Sequence, residues 1–149
     1  MTLKIGDKLP QFTTSNQHGE LINSKDLADK KLVLYFYPKD DTPGCTAEAC
    51  SLRDNYDRLL SHGYTIYGVS PDNAKKHQKF IEKYELPFDL LTDEDHSIAE
   101  LFGTWVEKSM YGRKYMGMAR VTFIFEKGVI TELIEKVDTK NHAEQLLAV

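Results

Sequence analysis

The sequence predicts an α/β fold in which a central mixed β-sheet is flanked by helices. Three features of the 149-residue chain point to it. Leu32 to Tyr37 is an apolar run without alternation, the pattern of a strand covered on both faces. Strand-like and helix-like stretches then alternate as far as Gly103, as they do where parallel strands are joined by helical crossovers. Near the end, two stretches rich in β-branched residues flank Glu126-Lys127-Gly128, which suits an antiparallel hairpin.

Taken in order, turn signals at Asn16 to Gly19 between Phe12 and Leu21-Ile22 predict a small β-hairpin ahead of the main fold. Leu32 to Tyr37 is the central strand, ended by Pro38. From Pro43 to about His62, Leu52, Tyr56, Leu59 and Leu60 recur at helical spacing, so a long helix is expected there. Tyr64 to Val69 reads as the next strand, and a helix begun near Asp72 places His77, Phe80, Ile81 and Tyr84 on one face. Phe88 to Leu91 reads as a short strand. Ile98, Leu101 and Phe102 form the inner face of a short helix stopped by Gly103. Arg120 to Phe125 and Val129 to Val137 make the late hairpin, and a helix from Thr139 to about Ala148 closes the chain. With no internal repeat or linker, the expectation is one domain over residues 1–149.

Hydrophobic residues make up 41% and charged residues 28%, the balance of a soluble globular protein. The formal charge is −4 and the cations are scattered, so no basic stripe exists to neutralise nucleic-acid phosphates. The longest apolar run, Leu32 to Tyr37, is far shorter than the roughly 20 residues of a membrane helix. Met1 to Asp7 lacks the apolar stretch of a secretory signal, which predicts a cytoplasmic location. Stable disulfides are rare in that reducing compartment, so Cys45 and Cys50 invite a redox reading.

Thr42 is a preferred N-cap type and Pro43 suits the first helical position, which puts Cys45 in the first turn of the long helix. Unpaired N–H groups and the positive end of the helix dipole stabilise an anion there and favour the reactive thiolate. Gly44 leaves room beside it. The Thr42 hydroxyl is placed to hydrogen-bond either the sulfur or an oxygen of an incoming substrate, and Pro38 to shield the pocket from water. Cys50 follows five residues later. At 1.5 Å and 100° per residue, the two Cα atoms of a continuous helix lie roughly 8 to 9 Å apart on different faces. Disulfides require about 4.4 to 6.8 Å, so bonding the two sulfurs demands that the first turns unwind. The plain alternative is a pair of cysteines packed as small apolar side chains. A zinc site is unsupported, since no histidine pair at ligand spacing joins the two thiols. His18, His62, His77, His96 and His142 are scattered and suit surface or packing roles.

Pro38, Thr42 and Cys45 fit a pattern of Pro, three residues, Thr, two residues, Cys, and in this the chain resembles the peroxiredoxins. Thr42-Pro43-Gly44-Cys45-Thr46-x-Glu48-x-Cys50 is similar to the segment of their bacterioferritin comigratory protein group, also called the PrxQ type. Tyr67 to Asp72, Leu91-Thr92-Asp93 and Arg120-Val121-Thr122-Phe123 extend the likeness over nearly the whole chain. The resemblance implies a thioredoxin-like fold with an N-terminal extension. It implies that Arg120 assists Cys45, which a permanently charged guanidinium with several fixed donors is able to do, and that Glu48 orients Arg120. The alternative for Glu48 is an exposed side chain compensating the helix dipole. The implied activity is reduction of hydrogen peroxide and organic hydroperoxides through a Cys45 sulfenic acid and a transient Cys45–Cys50 disulfide. Thioredoxin or a similar dithiol would recycle it, with no cofactor, and an intramolecular disulfide suits a monomer. Two other readings stand beside it: a thiol-disulfide oxidoreductase, disfavoured because such enzymes space their cysteines two residues apart, and a peroxide-sensing holdase. Trp105, Met110, Tyr111, Tyr115, Met116 and Met118 form an apolar stretch suited to a wall for bulky peroxides.

Overall fold

The computed structural model describes residues 2–149. An antiparallel hairpin of β1 (Thr13–Ser15) and β2 (Leu21–Asn23) precedes the main fold. There follow β3 (Lys31–Phe36), α1 (Pro43–Asp54), α2 (Tyr56–Ser61), β4 (Tyr64–Ser70), α3 (Ala74–Tyr84), β5 (Asp89–Thr92) and α4 (Ser97–Phe102). The chain continues with β6 (Trp105–Met110), β7 (Arg113–Met118), β8 (Val121–Glu126), β9 (Val129–Ile134) and α5 (His142–Leu147). Five strands form the central sheet in the order β5-β4-β3-β8-β9. The β3–β4 and β4–β5 pairs are parallel, and the β3–β8 and β8–β9 pairs antiparallel. The sheet is therefore mixed, as the sequence predicts.

β3 lies in the middle of the sheet, and its alternating side chains build two separate cores. Val33, Tyr35 and Tyr37 face the layer formed by α1, α2, α3 and α5. Leu32, Leu34 and Phe36 face the opposite side, where Phe102 of α4 and Phe12 and Leu27 from the N-terminal region pack. An apolar run without alternation is what burial on both sides requires.

Several elements differ from expectation. The helix expected over Pro43 to His62 breaks at Asn55, which leaves helical geometry (φ −115°, ψ 17°) and donates its side-chain amide to the Ser51 carbonyl at 2.9 Å. An Asn side chain competes in this way for backbone partners. Leu60 and Leu101 are exposed rather than inward. β6 and β7 form a separate antiparallel hairpin that the sequence pattern does not predict. Its turn holds Tyr111 (φ 52°) and Gly112 (φ 78°) in left-handed conformations, a primed turn built with tyrosine where Asn or Asp is usual. β9 ends at Ile134 and the final helix begins as a 3-10 turn at Thr139–Asn141.

Candidate active site

α1 starts where the sequence places its start. Thr42 is extended at the N-cap (φ −100°, ψ 156°), Pro43 is the first helical residue, and the Thr46 amide donates to the Thr42 carbonyl at 2.8 Å. Cys45 thus sits in the first turn, 1% exposed, where the Gly44 and Cys45 amides have no partner one turn back. The Thr42 side chain does not cap the helix. Its hydroxyl donates to the Lys39 carbonyl at 2.8 Å. That uses its one proton, so of the two bonds expected of Thr42 the one to the sulfur is not made, and its oxygen is left as an acceptor. Pro38 is half-buried just beyond β3.

Arg120 is the residue before β8, whose Val121 pairs with Phe36 at the end of β3. The register delivers its guanidinium to the start of α1. Nη2 donates to Cys45 Sγ at 3.3 Å and Nη1 to Glu48 Oε1 at 2.7 Å. A Cβ on residue 44 would stand 3.1 Å from Nη2, so Gly44 leaves this seat open. Burial works to lower the pKa of Arg120, but the facing Cys45 and Glu48 outweigh it and raise it.

Glu48 is fully buried, not the exposed carboxylate of simple dipole compensation. Burial pushes its carboxyl up and Arg120 pulls it down, leaving it raised to about 7. Its second oxygen, Oε2, has no hydrogen bond; His142 Nε2 lies 3.4 Å from it. Beneath the site, the Tyr35 hydroxyl is also buried without a partner. Desolvation, then Glu48, Asp40 and Cys45, hold its pKa well above the usual value.

The loop between β3 and α1 is clamped by α3. Asp40 accepts the Tyr37 hydroxyl at 2.5 Å, and its other oxygen meets His77 Nδ1 at 2.6 Å. The Asp40 amide donates to Asp72 at 2.7 Å, and His77 Nε2 faces the Leu91 carbonyl at 2.9 Å. Asp41, in a left-handed conformation, accepts from Lys83 and from the Tyr84 hydroxyl, each at 2.8 Å.

Cys50 lies half-buried on α1, and both thiols are free. Since α1 is continuous from Pro43 to Asp54, the two cysteines lie on different faces of one helix. The apolar stretch does not form one wall. Trp105 pairs with Met118 and Glu107 with Met116 on one face of the β6–β7 hairpin, while Lys108 pairs with Tyr115 on the other, with Met110 also on that face. Trp105 stacks on His96 with ring centroids 4.0 Å apart, and Met118 is buried in the core. Lys108 lies across Gly117 near the site, its pKa lowered by burial and then by Arg120, against an opposing pull from Cys45.

The sequence profile described as the AhpC/TSA family matches residues 5–133. The chain belongs to the AhpC/TSA family. Peroxiredoxin Bcp of Bacillus subtilis is 45% identical to this family member over 148 residues, 99% of this chain and 94% of that protein. A Cys-to-Ser mutant of Xylella fastidiosa PrxQ superposes with a TM-score of 0.92 at 31% identity, covering 99% of this chain and 95% of that one. The bacterioferritin comigratory protein of Xanthomonas campestris gives a TM-score of 0.87 at 33% identity, covering 95% and 96%. The AhpC/TSA chain is thus a peroxiredoxin of the Bcp or PrxQ group, with a thioredoxin-like fold and the β1–β2 hairpin as its N-terminal extension. By class it is a peroxidase, an oxidoreductase. Among the described residues no helix is long and apolar enough to cross a membrane.

The geometry joins Cys45, Arg120 and Glu48 directly, and keeps Cys50 apart from Cys45. Sequence reasoning left out Tyr35, Asp40, His77, Lys108 and His142. Of the surface and packing roles expected for the histidines, His77 and His142 take the packed one, both wholly buried. Each acquires its surroundings through a distant element, which local spacing does not reveal.

Proposed function

We propose that this peroxiredoxin reduces hydrogen peroxide and organic hydroperoxides with Cys45 as the nucleophile. The observation that carries the reading is the Arg120 guanidinium bridging Cys45 Sγ and Glu48 at the start of α1. The bacterioferritin comigratory protein of Xanthomonas campestris has alkyl peroxide reduction activity, which adds weight. The Cys45 thiolate attacks one peroxide oxygen; an S–O bond forms, the O–O bond breaks, and the departing oxygen takes up a proton to leave as water or alcohol. Arg120 and the free amides of the first turn stabilise the charge that develops on the leaving oxygen. The Thr42 hydroxyl accepts the peroxide O–H, and Pro38 limits access of water.

Cys45 sulfenic acid then condenses with Cys50, releasing water and forming a disulfide, after the first turns of α1 unwind. Thioredoxin or a similar dithiol supplies two electrons to restore both thiols, without a cofactor. The chain acts as one domain, as a monomer and in the cytoplasm. Burial of Cys45 weighs against direct attack on protein disulfides, the chief rival reading. The test is peroxide consumption coupled to thioredoxin, its reductase and NADPH. Cys45→Ser should abolish it, whereas Cys50→Ser should still consume one peroxide per chain and yield a dimedone-trappable sulfenic acid. Full turnover by Cys45→Ser would falsify the reading.

A further inference from the structure

Glu48 is bound to Arg120 through one oxygen only; the other is aimed at His142. The state of that histidine follows from its own neighbours. Gln145 donates Nε2–H to the Lys136 carbonyl at 3.0 Å and accepts the Asp138 amide on Oε1 at 2.9 Å, which fixes its orientation. His142 Nδ1 lies 2.8 Å from that same Oε1, an acceptor, so Nδ1 carries a hydrogen. Nε2 is left as the variable nitrogen. It sits 2.8 Å from the Thr122 hydroxyl and 3.4 Å from Glu48 Oε2, inside a fully buried pair. One proton held by the pair resides either on Glu48, with Nε2 accepting from the Thr122 hydroxyl, or on Nε2, which then donates to the Thr122 oxygen beside the Glu48 carboxylate.

We propose that His142 is a positioning residue of the peroxidase, sharing one proton with Glu48 and thereby deciding how much of the Arg120 charge is left for the sulfur of Cys45. The proposal rests on the reading of Cys45 as nucleophile. With the proton present the Glu48–His142 pair is neutral, and Arg120 serves Cys45. When it is lost, the pair carries a buried negative charge that draws the guanidinium to itself. Burial raises Glu48 and lowers His142, moving a carboxyl and an imidazole each toward the other's usual range. The other charged or titratable groups facing the pair are Arg120 ahead of β8, Cys45 on α1, Tyr35 on β3 and Asp138 before α5.

The test is the pH profile of hydrogen peroxide reduction, followed in single turnover for wild type, His142→Gln and His142→Leu. Wild type should lose rate on the alkaline side as the shared proton departs. Glutamine gives the carboxylate a neutral donor and favours its ionised form, so the decline should move to lower pH. Leucine gives none and should move it to higher pH. A displacement of one unit changes the rate on the declining side about tenfold. A structural role alone would not send two substitutions in opposite directions. If His142→Leu does not fold, Glu48→Gln replaces it and should abolish the decline. A decline absent from wild type, or one that stays put or moves the same way in both variants, overturns the proposal. Activity surviving in Cys45→Ser would instead overturn the reading beneath it.

Discussion

At the level of single residues, Arg120 reaches two partners at once, Cys45 and Glu48. A lysine has no fork and can serve Cys45 or Glu48 but not both in this geometry. Arg120→Lys should therefore slow peroxide reduction by about 100-fold, the scale of losing one preorganised donor; stopped-flow kinetics with hydrogen peroxide measures it. Gly44 offers a finer probe. A methyl there would crowd Nη2 at 3.1 Å and lengthen its 3.3 Å contact with the sulfur. Gly44→Ala should slow the same step by about tenfold, or 1.4 kcal/mol, with the fold intact by circular dichroism. A wild-type rate would show that the guanidinium does not need that seat. The first-turn position of Cys45 was legible because local signals determine it. Burial of Glu48 was not, because the residue that shares its pocket comes from α5 near the opposite end of the chain.

At the level of elements, the unwinding proposed for α1 has defined ends. The clamp on Asp40 and Asp41 holds the chain before Thr42, and the Ser51 hydroxyl accepts the Ala143 amide at 3.1 Å just past Cys50. Residues 42–50 are the part free to open. Glu48 lies within it, with its carboxyl near 7 when folded against about 4.5 in water. The folded turn thus binds the proton more tightly, and its extra stability is complete below pH 4.5 and lost as pH rises through 7. The span corresponds to on the order of 3 kcal/mol. Amide exchange across residues 44–50 of the reduced protein, corrected for intrinsic rates, should show more frequent opening at pH 8 than at pH 5. Glu48→Gln should flatten that dependence, and a wild type already flat would exclude the link. Helical spacing alone suggested one long helix; the break at Asn55 escaped it because a side-chain to backbone bond, not a change in apolar period, ends α1. The β6–β7 hairpin escaped for a similar reason, its turn resting on a left-handed tyrosine.

At the level of the whole molecule, the sheet separates α1 from a second core on its opposite side. Phe102 lies there with its ring centroid 4.9 Å from Phe36 and 5.2 Å from Phe123. Phe102→Ala should destabilise the protein by about 3–5 kcal/mol in urea unfolding, with the peroxide rate little changed; a parallel collapse of the rate would mean the two cores are not independent. This layered plan was the most readable level in the sequence, because Leu32 to Tyr37 and the strand-helix alternation after it encode burial directly. The hold on Ser51 at the far end of α1 bears on recovery after each proposed cycle. Starting a helix from coil is its unfavourable step, because several residues must be ordered for the first bond. In the unwinding proposed above, the last turn of α1 would stay in place where the Ser51 hydroxyl holds the Ala143 amide, so the returning chain would extend from an end already helical. Reassembly of the peroxide site becomes elongation from a template, a matter of roughly nanoseconds per residue, rather than a fresh nucleation.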